Sequence, residues 1–94
     1  MFTQNMDSTP THEVAFELGQ LLAQQQNYDK ALMQLTSCIE LARLDLLNMD
    51  AGKLAEYYMH RAAVFEALGL MEHSKRDLHS IIEADPNFIQ KYHS

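Results

Sequence analysis

Of the residues that cross-link or break a backbone, this 94-residue chain has one cysteine, two prolines and three glycines, and it has no tryptophan. With Cys38 alone, neither an intramolecular disulfide nor a thiolate metal cluster can form. The scarcity of Gly and Pro, set against abundant Ala, Leu, Gln, Glu and Met, favours helix. No run alternates apolar and polar residues with enough Val, Ile and Thr to make a strand. Basic residues are few as well, seven against thirteen acidic, for a net charge of −6. The imbalance is concentrated in residues 1–50, with two basic and seven acidic side chains, whereas residues 51–94 hold five and six. Such a chain gains nothing from counterion release at phosphates, which argues against nucleic acid. The same electrostatics argue against an anionic membrane surface. No apolar run approaches the roughly 20 residues that span a bilayer. The opening MFTQNMDSTPTH lacks the basic and apolar regions of a signal peptide. A reducing, cytoplasmic location is expected.

What is present is a folded, all-helical composition: 47% hydrophobic and 21% charged residues in a length that suits one small domain with a thin core. Residues 1–8 are polar and aperiodic and read as a flexible tail, with a single domain over 9–94. Thr9 followed by Pro10 suits a helix start, and Glu13 and Glu17 lie near the positive end of that helix. The first helix is expected to reach about Gln25 and to bury Val14, Leu18, Leu21 and Leu22, with Ala15 beside them. Gln26-Asn27-Tyr28-Asp29 makes a turn, with Asn27 or Asp29 as cap. A long second helix, about Asp29 to Asn48, then buries Ala31, Leu32, Leu35, Cys38, Ile39, Ala42 and Leu46. Cys38 reads as a buried small hydrophobe. Asp50 caps a third helix over about 51–68. A fourth, about 71–84, is stopped by Pro86. In this second pair Ala62, Ala63, Phe65, Ala67 and Leu68, then Leu78, Ile81 and Ile82, recur at helical spacing around Gly69. Asn87 to Ser94 suit one further helical turn, with Phe88, Ile89 and Tyr92 folding back.

The two hairpins overlie at a shift of 43 residues. Gly19 then falls on Ala62, Leu22 on Phe65, Leu35 on Leu78, Cys38 on Ile81 and Ile39 on Ile82. On these residues the chain resembles the tetratricopeptide repeat, whose period is about 34 residues. Leu18-Gly19 matches the family's pair for close helix approach, and Leu22 and Phe65 match the large residue that follows. Tyr28 and Gly69 each supply half of the turn's Gly-x-Tyr. Ala31 and Ser74 open the second helices, Leu35 and Leu78 are their packing residues, and Asp85-Pro86-Asn87 is the complete stop signal. Departures are Ala15 at the first-helix aromatic position (Tyr58 fits in the second copy), Arg61 in place of the leucine, and Arg43 where a stop proline belongs. The missing stop lets the second helix overrun, which accounts for the longer period. The resemblance implies two repeats, about 12–48 and 51–88, stacked as a short α-α superhelix with a short C-terminal helical turn. The alternative is a non-repeating four-helix bundle.

No catalytic or metal constellation stands out. Glu56/His60, His73/Asp77 and His79/Glu83 share helix faces, but a tight metal site needs three or four converging ligands. No phosphate loop or nucleophile elbow occurs, so neither an enzyme nor a cofactor is expected. The resemblance implies a binding module whose first helices line a concave groove. Its positions fall on Glu13, Phe16, Gln20, Ala23 and Gln24, then on Glu56, Met59, Ala63, Glu66 and Ala67. Packing between helices is the competing role for Phe16 and Met59. The glutamates suit a basic or amphipathic peptide or helix of a protein partner. The clamp with which some repeats hold the carboxylate tail of heat-shock chaperones falls on Phe16, Gln20 and His60, without a lysine, so an anionic terminus is a poor fit. Met33, Leu41, Leu44 and Leu47 widen the apolar stripe of the second helix beyond what one neighbour covers. Self-association into a homodimer, or docking on a larger partner, is expected there. The alternative to an adaptor is a structural subunit whose apolar faces serve assembly only.

Overall fold

The computed structural model describes residues 11–88 and 90. Four helices follow one another: α1 (His12–Gln24), α2 (Tyr28–Leu44), α3 (Ala51–Ala67) and α4 (Met71–Ala84), with a 3-10 turn at Leu46–Asn48 between α2 and α3. They form two antiparallel hairpins, α1 on α2 and α3 on α4. The second hairpin docks chiefly through α3 onto α2, with a smaller side-chain contact between α1 and α3. Two small cores result. One gathers Ala15, Cys38, Ile39, Ala42, Ala55, Tyr57, Tyr58, Ile81 and Phe88, and the other gathers Ala31, Leu35 and Val64. Phe16 packs against both. Phe88 is buried as expected, and Ile89 and Tyr92 lie outside the described residues.

The helix starts are local chemistry. Thr9 and Pro10 fall outside the described residues. The cap that forms is Thr11, whose Oγ1 accepts from the Val14 N–H at 3.2 Å. Asp50 caps α3 as expected, its carboxylate accepting from the Lys53 N–H at 3.3 Å. Of the two residues expected to cap α2, Asn27 takes the N-cap position, without a side-chain cap bond, and the helix opens at Tyr28. The second helix also ends earlier than expected. Asp45 turns out of helical geometry and accepts from the Asn48 side-chain amide at 2.9 Å, so Leu46 is exposed rather than part of the inner face.

Both hairpin turns use one backbone design. After α1, the Gln26 N–H donates to the Ala23 carbonyl and the Asn27 N–H to the Leu22 carbonyl. After α3, Gly69 and Leu70 donate to Glu66 and Phe65. Gln26 and Gly69 are the two described residues at positive φ, 63° and 78°. This is the left-handed C-cap, met once with the glycine it favours and once without it. The four bonds and both φ values coincide at the shift of 43 residues. The repeat therefore extends to the main chain.

Two buried faces differ from expectation. On α1 the leucine stripe is outside: Val14, Leu18 and Leu21 are exposed, Leu22 is half-buried, and the buried residues are Ala15 and Gly19. A Cβ on Gly19 would stand 2.7 Å from Leu35 Cδ2. The helices meet through their smallest side chains, a contact that a hydrophobicity pattern assigns to the wrong face. On α4 the buried residues are Ser74, Asp77 and Ile81, while Leu78 and Ile82 face outward. Similarly, Ala62 and Phe65 are buried on α3, whereas Ala63 and Ala67 are exposed.

Candidate functional site

The first helices of the two hairpins, α1 and α3, share one side of the molecule. Phe16 of α1 lies between two α3 rings, 4.6 Å from Tyr57 and 4.9 Å edge-on from His60. Beside it, Gln20, Ala23 and Gln24 of α1 and His60 of α3 line a shallow depression of about 230 Å³. Burial lowers the pKa of His60, partly countered by the charge of Glu56, so its ring favours the neutral form. Three of the ten expected groove residues thus converge, together with His60, which is not among those ten. Phe16 and Met59 are half-buried in packing contacts. Glu56 is half-buried, and Ala63, Glu66 and Ala67 are exposed on α3. Glu13 lies apart, on the wall of a larger cleft of about 650 Å³ shared with His12, Leu41, Asp45, Met49 and Lys53. There the His12 Nδ1 is 2.7 Å from the Tyr57 hydroxyl. Burial, then the neighbouring Cys38, Glu13 and Glu56, raise the pKa of that phenol, so it stays protonated.

A second polar arrangement ties α3 to α4. Arg61 donates to both oxygens of buried Asp77, Nε to Oδ2 at 2.8 Å and Nη2 to Oδ1 at 2.7 Å. Its third nitrogen is 3.4 Å from Thr36 Oγ1 of α2. The guanidinium carbon stands 5.8 Å from the centre of the Tyr58 ring and 5.5 Å from that of Phe65. Burial alone would lower the Arg61 pKa. The Asp77 hydrogen bonds and charge, with Tyr58 and Glu40, outweigh that and hold it above its ordinary value. One arginine thus joins three helices. Cys38 is fully buried, and burial, with a smaller effect of Glu13, pushes its thiol up to about 12, so it stays protonated at neutral pH. Among the described residues, no three His, Cys, Asp or Glu side chains come together as a metal site.

Residues 12–43, the whole of α1, its turn and nearly all of α2, match the tetratricopeptide repeat family model. That first hairpin is similar to a tetratricopeptide repeat. No curated protein and no solved structure matches it significantly. A tetratricopeptide repeat is in general a protein–protein interaction module, and here α1 and α3 are the first helices of the two hairpins. Arg61 lies outside the matched residues, and its charge is satisfied across the second hairpin by Asp77. The expected self-association residues differ in exposure. Met33, Leu44 and Leu47 are exposed, but Leu41 is half-buried in the wall of the larger cleft, and Leu47 lies beyond the end of α2. Among the described residues, no helix is long and apolar enough to cross a membrane.

Proposed function

We propose that the chain is a small adaptor that holds a basic or amphipathic segment of a protein partner along the α1–α3 side. The observation that carries this reading is the shared depression in which Gln20, Ala23 and Gln24 of one repeat meet His60 of the next. Charge supports the choice of ligand. α1 carries Glu13 and Glu17 and no lysine or arginine, and Glu56 and Glu66 continue the acidic character along α3. Flanked in this way, the apolar Ala23, Ala63 and Ala67 suit a helix or extended peptide bearing lysines at its edges. The location fitting such a role, and the protonated thiol of Cys38, is the cytoplasm.

The test is selection from a random peptide library on immobilised protein, followed by affinity measurement on variants. Phe16 and Met59 are unsuitable to mutate because they pack the helices together. Gln24→Lys and Glu66→Lys change exposed residues only. The expected result is enrichment of Lys- and Arg-bearing amphipathic peptides, each variant weakening them about tenfold with an unchanged melting temperature. Selected peptides that are acidic, or that bind both variants as well as the parent, refute the proposal. An assembly subunit is the second reading, favoured by the apolar residues left exposed on α1 and α4.

A further inference from the structure

The 43-residue correspondence shows what the exposed apolar faces of α1 and α4 lack. On α2, Leu35 and Ile39 are 1% and 3% exposed. Leu35 shares a core with Val64 of α3, and Ile39 shares the other core with Tyr57 of α3. Their counterparts on α4, Leu78 and Ile82, are 39% and 53% exposed. The same holds at the opposite side of the stack. Tyr57 and Val64 of α3 are 0% and 3% exposed, packed in cores shared with α2 (Tyr57 also against Phe16 of α1), whereas their counterparts on α1, Val14 and Leu21, are 58% and 53% exposed. The face of α4 therefore corresponds to the half of the internal α2–α3 interface that α2 supplies, and the face of α1 corresponds to the half that α3 supplies. Among the described residues, both halves of one interface are carried, unpaired, by a single chain.

We propose that copies of this chain stack head to tail, α4 of one on α1 of the next, reproducing the α2–α3 contact between molecules. The register follows from the internal pairs. Leu78 meets Leu21 of the next copy, as Leu35 meets Val64, and Ile82 meets Val14, as Ile39 shares a core with Tyr57. Leu18, exposed between Val14 and Leu21 and counterpart of Arg61, completes the stripe. Charge does not oppose the union: α1 bears Glu13 and Glu17 without a cation, and α4 bears Lys75 and Arg76 among its acids. The contact is heterologous, so it grows into chains or closes into a ring, and it differs from a two-fold dimer through Met33, Leu44 and Leu47. It leaves the α1–α3 depression out of the contact, so it stands or falls apart from the peptide-binding role.

The experiment is sedimentation velocity over a concentration series with the wild-type chain, Leu21→Glu, Leu78→Glu and their equimolar mixture. All sites are exposed, and circular dichroism verifies that each variant keeps its helices. The wild-type mass is expected to rise with concentration, and each single variant to associate about 10- to 100-fold more weakly, the loss of one buried leucine contact. The mixture is decisive. Each variant retains one intact face of opposite kind, so the mixture forms a 1:1 complex and stops there. Leu44→Glu is expected to assemble like the wild type. A wild-type monomer throughout the series overturns the proposal, whether a foreign protein or another segment of the chain covers the face. So does assembly that survives both variants, that Leu44→Glu abolishes, or that the mixture fails to restore.

Discussion

Removing Arg61 should damage this protein more than removing the carboxylate it holds. The two side chains are 19% and 4% exposed, and two hydrogen bonds of 2.7 and 2.8 Å join them. Breaking one side of a buried pair costs about 3–5 kcal/mol, because the remaining charge stays buried without compensation. In Arg61→Leu the orphan is Asp77, almost fully enclosed, and the cost falls at the top of that range. In Asp77→Ala the orphan is a guanidinium that keeps Thr36 and two aromatic faces and reaches water at one edge, so the cost falls at or below about 3 kcal/mol. The double variant Arg61→Leu/Asp77→Leu removes both charges and should cost about 1 kcal/mol or less, since well-packed apolar replacements of such pairs are often neutral. A domain of this size has about 5–15 kcal/mol in total, so Arg61→Leu alone brings it close to unfolding. Urea titration followed by circular dichroism gives all four corners of the cycle. Additive single losses, with no coupling between the two positions, refute the reasoning.

Gly19→Ala should lower stability by about 1–2 kcal/mol in thermal melts. The new Cβ meets Leu35 side-chain atoms at 2.7 and 2.8 Å, and overpacking of about 1–3 kcal/mol exceeds the helix propensity gained. Gly52→Ala, which meets nothing closer than 3.4 Å, should not lower it. Gln26→Gly should raise stability by about 0.5–1 kcal/mol and Gly69→Ala lower it by about 1 kcal/mol, since both positions need positive φ and a Cβ at 69 has open space. Equal and opposite helix-propensity effects without regard to φ would contradict that. His60 has a folded-state pKa below its unfolded value of about 6.5, so the folded state takes up its proton less readily. Stability should therefore decline as pH falls below about 6.5, and His60→Gln should flatten that slope in urea titrations at pH 7 and pH 5.

Boundaries enforced by a single residue were legible in the sequence. Pro86 ends α4 and Asp50 opens α3 where the residues say they should, and the all-helical hairpin plan follows from composition and spacing. Faces were less legible. On α1, period and hydrophobicity select Val14, Leu18 and Leu21, but close approach at Gly19 turns the helix by about one residue and leaves those leucines outside. Arg61 was visible as a departure from the family, but its partner was not. A signal was present: Arg61 and Asp77 stand eight residues before and after Gly69, and positions equidistant from the turn of an antiparallel hairpin lie level. The groove was half legible, because the spacing of Gln20, Ala23 and Gln24 marks one side of α1, while which α3 residue faces them depends on how the hairpins dock.

The third helix is clamped from both flanks, by α2 and by α4, whereas α1 is held chiefly by α2, and α4 by α3. Opening should therefore travel inward from the outer layers, with amides near Tyr57–Phe65 the slowest to exchange and those of α1 among the first. The depression joins a loosely held wall to a firm one. Whatever peptide settles there would act as a brace for α1, and its arrival would register as slowed exchange in the helix that otherwise breathes most.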